Sequence, residues 1–216
     1  MKAAIFDMDG TLLDSLGMWY GFAPAFCKEH GIVWTQPLAD DLLGLAFPEA
    51  AEVFTRKFPQ LNMSANELIS TWINMVHFSY AHEVTLKPFA IDYIKKLNQC
   101  NIPCAVATMT NHALADAALA HHGITTLVQT ILTPEDVGGV GKERPDIYIE
   151  AAQRLGVPVE QCVVFEDTLF AIKTAAKAGF TVWAIDEPLQ EAQHEIKSTC
   201  HRYIHSFEEL LNDRSK

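Results

Sequence analysis

Short apolar runs rich in β-branched residues and bounded by turn signals recur along the chain. They are Ala3-Ala4-Ile5-Phe6, Ile102-Pro103-Cys104-Ala105-Val106-Ala107, Val128-Gln129-Thr130-Ile131-Leu132, Cys162-Val163-Val164-Phe165 and Phe180-Thr181-Val182-Trp183-Ala184-Ile185. Read together they predict strands buried on both faces. Helical periodicity fills the intervals from Pro88 to Gln99, Asn111 to His121, Pro145 to Leu155 and Thr168 to Ala178. Asn111 is placed to cap one helix, Pro opens two, and Gly123, Gly156 and Gly179 stand just past three ends. Strand, helix, strand alternation predicts an α/β fold with a doubly wound parallel sheet covered by helices on both faces.

One interval breaks the alternation. From Asp7 to Thr108 is 101 residues, whereas a crossover with one helix needs only a few tens. The intervening sequence is helical in pattern: Met18, Trp19, Phe22 and Phe26 share one face, as do Leu68, Trp72, Met75 and Val76. An α-helical domain over residues 16–83 is therefore expected inside a core domain of residues 1–15 and 84–216, with hinges near 15–18 and 83–88. The aromatic and methionine stripes read as the core of that bundle rather than as a cofactor box.

The length of 216 residues, about 1.4 ordinary domains, agrees with a core carrying an insertion. The net charge of −11, without Lys/Arg clusters, argues against nucleic acid and anionic membrane as partners, since both are held by contributed cations. An anionic substrate would need local cations or a metal. Five cysteines cannot all pair, and Cys27 and Cys162 sit in apolar surroundings as reduced thiols do. The apolar run Ala3–Phe6 is too short for a signal-peptide core, so the cytoplasm is the expected compartment. Cys100, Cys104 and His112 could be proposed as zinc ligands, but plain packing is the expected reading.

Open parallel sheets bind ligands at the carboxyl ends of their strands. The residues there are Asp7-Met8-Asp9-Gly10-Thr11, Thr108, and Glu166-Asp167. Four carboxylates converging on one edge repel unless a cation sits among them, and hard oxygen donors suit Mg²⁺. Asp7 beside a metal could act as a covalent nucleophile toward phosphorus, and Asp9 as its acid and base. The bland alternative for this pair is an Asp-Gly turn after a strand. A calcium loop counted from Asp7 fails because Leu12 and Met18 stand where Gly and Glu are needed. A phosphate loop ending at Lys142 fails because Asp136 stands in place of the first Gly and Glu143 in place of Ser or Thr. Lys142 is then either a solvated loop lysine or a point charge that offsets the carboxylates and binds a phosphoryl oxygen.

In order and spacing, Asp7-Met8-Asp9-Gly10-Thr11, Thr108, Lys142-Glu143-Arg144-Pro145-Asp146-Ile147-Tyr148 and Phe165-Glu166-Asp167-Thr168 resemble the four motifs of the haloacid dehalogenase superfamily, and most closely its β-phosphoglucomutase-like phosphatase branch. The resemblance implies a Rossmann-like core with a helical cap where the insertion falls, and Mg²⁺-dependent hydrolysis of a small phosphorylated metabolite by a monomer or weak dimer. It implies that Asp7 attacks phosphorus and ligates Mg²⁺, that Asp9 is the acid/base and lends the metal its backbone carbonyl, that Thr108 and Lys142 bind phosphate, and that Asp167, with Glu166 beside it, completes the metal site. Dehalogenases of the superfamily lack the second acid, so Asp9 argues against that chemistry. Mutases of this branch carry a His, an Arg and a Lys where Trp19, Phe47 and Asn111 stand here, which favours the phosphatase over the mutase. A non-catalytic phospho-ligand-binding regulator is the remaining alternative. The resemblance puts the cap over the leaving group, with Trp19, Phe47 and Trp72 near it.

Overall fold

A computed structural model describes residues 1–42, 45 and 47–212. Its strands are β1 (Ala3–Phe6), β2 (Leu13–Asp14), β3 (Thr85–Leu86), β4 (Cys104–Ala107), β5 (Thr130–Leu132), β6 (Cys162–Glu166), β7 (Thr181–Ile185) and β8 (Arg202–Ile204). Six of them form one parallel sheet in the order β5-β4-β1-β6-β7-β8, and β2 pairs antiparallel with β3. Every residue of β1, β4 and β6 is buried. Apart from Glu166 at the end of β6, these strands carry no polar residues, because helices cover both faces. On one face Ile5, Ala105 and Val164 pack with Ile147, Tyr148 and Ala151; elsewhere Phe6 stacks on Phe165 with ring centroids 4.5 Å apart, and Tyr93 and Phe207 close around them. The chain builds outward from β1 through β4 to β5, then returns to β1's other side for β6. The order in which strands are added therefore reverses at β1, and the carboxyl ends of strands at such a switch point are where open parallel sheets bind ligands.

Ten α-helices are described: α1 (Leu16–Glu29), α2 (Gln36–Leu42), α3 (Phe47–Lys57), α4 (Ala65–His82), α5 (Ala90–Gln99), α6 (His112–His121), α7 (Asp146–Leu155), α8 (Leu169–Lys177), α9 (Gln193–Thr199) and α10 (Glu208–Asn212). The side chain of Asn111 accepts from the Leu114 N–H and caps α6, while Gly156, in the left-handed region, ends α7. Expected strands lose one or two leading residues: Ile102 and Pro103 precede β4, and Val128 and Gln129 precede β5. Strand β8 carries no signal of comparable strength, because this edge strand is three residues long and only Ile204 in it is buried.

The chain divides into two compact units, Met1–Leu16 with the chain from Val84 onward, and Gly17–Glu83. The second is helical. Its longest helix, α4, starts with a capping box in which Ser64 and Glu67 satisfy each other's backbone N–H groups. Trp72 is 2% exposed, and its ring lies 5.2–6.0 Å from those of Phe22, Phe26, Phe47 and Phe54. It belongs to the core of this unit, as the reading of its stripe as bundle core has it. A buried ring that size leaves a cavity that no single neighbour can fill. Trp72→Ala should cost about 3–5 kcal/mol, read as an earlier urea midpoint of the helical signal in circular dichroism.

Candidate active site

Backbone geometry delivers the first two acids. The Asp7 N–H still donates to the Phe165 carbonyl at 2.9 Å, so Asp7 stands where β1 leaves the sheet. The chain then turns through Gly10, whose φ of +87° suits glycine. A Cβ there would lie 2.5 Å from Asp167 Oδ2. Gly10 is thus required twice, for the turn and for the close approach of Asp167.

Three carboxylates gather at this edge. Oxygens of Asp7, Glu166 and Asp167 lie within 4.8 Å of one another, and all three residues are buried. Lys142 is 2% exposed, which removes the solvated-lysine reading. Its ammonium donates to Asp7 Oδ1 and, at 2.6 Å, to Glu166 Oε1. The Tyr148 hydroxyl donates to the same Glu166 oxygen at 2.9 Å, and its ring centroid lies 5.5 Å from Lys142 Nζ. The other oxygen of Glu166 accepts the backbone N–H groups of Asp167 and Thr168, each at 3.0 Å. Both Glu166 oxygens are therefore committed within the chain, whereas Asp7 Oδ2 is buried without a hydrogen-bond partner.

Asp9 stands apart from this cluster. Ser15 donates to its Oδ1 at 2.7 Å and Thr110 to its Oδ2 at 2.8 Å. The expected four-carboxylate cluster thus contains three, with the fourth carboxyl held in its own bracket of hydroxyls. Thr108 is buried after β4, and its hydroxyl accepts the Thr110 N–H at 3.1 Å. Ser15, Thr110, Tyr148 and Gln190, whose Nε2 donates to Asp167 Oδ2 at 2.7 Å, are not among the residues that the sequence points to. Each reaches the site from a different segment, and only the motif-like spacing of Tyr148 after Lys142 offered a signal. The zinc reading is not supported: Cys100 is exposed, burial pushes the Cys104 thiol up to about 12, and His112 bonds Asp136 at 2.7 Å.

Electrostatics follow from these contacts. Burial pushes the Asp7 carboxyl well above its ordinary value; Lys142 pulls it down, and Glu166 and Asp167 push it up again. Burial, then the neighbouring Glu166, raises Asp167 to about 7. Burial alone would depress Lys142, but Asp7 and Glu166 outweigh it and hold the ammonium above its usual range. One ammonium against three carboxylates leaves negative charge uncompensated, and Asp7 Oδ2 offers an unused oxygen. Those two facts fit a divalent cation bound by hard oxygen donors.

A family model described as haloacid dehalogenase-like hydrolase matches residues 1–179. Hexitol phosphatase A of Escherichia coli is 29% identical over 214 residues, covering 97% of this chain and 93% of that protein. Fructose-1-phosphate phosphatase YqaB of the same organism is 29% identical over 185 residues, covering 81% and 91%. The solved structure of a CbbY variant from Rhodobacter sphaeroides in complex with xylulose-(1,5)-bisphosphate is similar with a TM-score of 0.74 and 25% identity, over 97% of this chain and 96% of that one.

The raised value of Asp167 has a stability consequence. A carboxyl whose folded value lies near 7 against 3.8 unfolded stabilises the fold fully below about 4, and that contribution is lost as pH rises through 7. In chelator-treated protein at pH 8, Asp167→Asn should raise the melting temperature by a few degrees. The difference from the unmodified chain should shrink as pH falls toward 5, as followed by calorimetry.

Proposed function

This chain belongs to the haloacid dehalogenase-like hydrolases, and on that premise we propose that it is a Mg²⁺-dependent phosphatase acting on a small sugar or polyol phosphate through an aspartyl-phosphate on Asp7. The observation that carries the reading is the buried Lys142 ammonium bridging Asp7 and Glu166, beside an Asp7 oxygen with no partner. Support for the substrate class comes from relatives that act on hexitol phosphates and fructose 1-phosphate by name.

In the proposed reaction a carboxylate oxygen of Asp7 attacks phosphorus, and the bond to the leaving alcohol breaks. Asp9, whose carboxyl is aimed by Ser15 and Thr110, gives the departing oxygen a proton. It then takes one from water, which attacks the aspartyl-phosphate and releases inorganic phosphate and free Asp7. Lys142 and the Thr108 hydroxyl hold the equatorial phosphoryl oxygens, where negative charge spreads in the transition state. Asp7 and Asp167, with the Asp9 carbonyl, would hold Mg²⁺, and Glu166 contributes by fixing Lys142 between its own carboxyl and Asp7. When bound, the metal would offset the excess carboxylate charge and polarise the phosphoryl group. Residues 16–83 would serve as the cap that selects the leaving group. The free state of all five thiols supports a reducing, cytoplasmic setting.

A mutase must hold a second phosphate, and the residues available argue against that. The Asn111 side chain is occupied as a helix cap, and the Trp19 indole N–H donates to the Tyr80 hydroxyl at 3.2 Å.

Phosphate release from a panel of hexose and hexitol phosphates tests the reading, with p-nitrophenyl phosphate as a generic substrate. Activity should require Mg²⁺, vanish with EDTA, and fall by at least about a thousandfold in Asp7→Asn. Turnover in that variant equal to the unmodified chain would reject Asp7 as nucleophile.

A further inference from the structure

Lys87 and Glu187 are both buried, at 9% and 2% exposure, and form an ion pair that plays no part in the chemistry above. Buried pairs seldom raise stability over an apolar pair of the same size, so what this one holds in position is the informative question. The Lys87 backbone N–H donates to the Leu12 carbonyl at 2.8 Å, which ties it to the turn carrying Gly10. Glu187 organises the loop that follows β7: its Oε1 accepts the Leu189 N–H at 2.9 Å, and its carbonyl accepts the Gln190 N–H at 3.0 Å. That loop turns the Gln190 side chain toward the acidic cluster, where Nε2 donates to Asp167 Oδ2 at 2.7 Å.

Asp167 Oδ2 lies in the space left by the missing Cβ of Gly10 and accepts from the Gln190 amide. Oδ1 has only the longer contacts from Thr11 and Thr168, at 3.3 and 3.4 Å. Both contacts lead back to Lys87, through the Leu12 carbonyl and through Glu187.

We propose that Gln190 is a positioning residue for Asp167, and that the buried Lys87–Glu187 pair sets the loop that delivers it. Fixing one oxygen fixes the orientation in which the carboxyl meets a cation, as partners behind a metal ligand do. The proposal rests on the reading of Asp167 as a Mg²⁺ ligand.

Calorimetric titration of Mg²⁺ into the chelator-treated full chain tests it, alongside hydrolysis measured as a function of Mg²⁺. Gln190→Ala and the near-isosteric Gln190→Met should both weaken Mg²⁺ about tenfold, and raise the half-saturating Mg²⁺ for hydrolysis by the same factor. Turnover should recover at saturating Mg²⁺ in both variants, which a loss of folded protein would not allow. Glu187→Gln should shift affinity in the same direction, and its combination with Gln190→Ala should be no weaker than Gln190→Ala alone. Unmodified chain that binds while Asp167→Asn does not, with both Gln190 variants binding normally, overturns the inference and leaves the proposed function standing. Normal binding by Gln190→Met with weakened binding by Gln190→Ala also overturns it, since packing would then be the cause. An unmodified chain that takes up no Mg²⁺ overturns the proposed function, and the inference falls with it.

Discussion

A single buried ammonium must be held among three buried carboxylates, and the rest of the core unit is arranged around that constraint. Bringing these groups out of water is costly, and one ammonium cannot neutralise three acids. The geometry therefore has to come from covalent connection to rigid elements. Asp7 extends β1 and keeps its backbone bond to Phe165, Glu166 closes β6, and Lys142 sits just ahead of α7. Adjacent parallel strands put the two acids side by side at their carboxyl ends, and Tyr148, on α7, pins the shared oxygen of Glu166. What the cluster loses in stability it holds as a preformed electrostatic environment, the common trade at sites shaped for charge.

Two different treatments of carboxylates stand within a few residues of each other. Asp7 is desolvated and left with one unpartnered oxygen, which raises its proton affinity and leaves it open to a cation. The Asp9 oxygens accept from hydroxyls, Oδ1 from Ser15 and Oδ2 from Thr110. The two acids therefore stand in unlike surroundings, one desolvated beside an ammonium and one held by hydroxyls. The Gly10 turn makes both possible, since it redirects the chain between them and leaves space that Asp167 fills.

The aromatic stripes of the helical unit meet in its interior. Phe22, Phe26, Phe47, Phe54 and Trp72 are spaced for one apolar surface, and they pack as a bundle core. Trp72 is buried and packs its ring against four neighbours. Trp19, on the same expected stripe, is half-buried and donates its indole N–H to Tyr80.

Much of the core was legible from local pattern. Uninterrupted apolar runs mark strands covered on both faces, Asn111 and Gly156 mark helix ends, and an interval too long for one crossover marks the insertion. Acids directly after strand runs point to the carboxyl edge of the sheet, because strand direction is shared across a parallel sheet. Strand β8 was not legible, since a short, half-exposed edge needs little apolar sequence. Nor could spacing decide between a solvated and a buried Lys142. Gln190 and Thr110 carry no local pattern at all, because a side chain's partners across the fold are set by loop path and not by neighbours in sequence. The sequence by itself determined the sheet apart from β8, the insertion and which acids lie at the carboxyl edge of the strands. Only the tertiary structure decided the burial of Lys142, the commitment of both Glu166 oxygens and the contacts of Asp167, because burial and hydrogen-bond partnership belong to segments that meet only after folding.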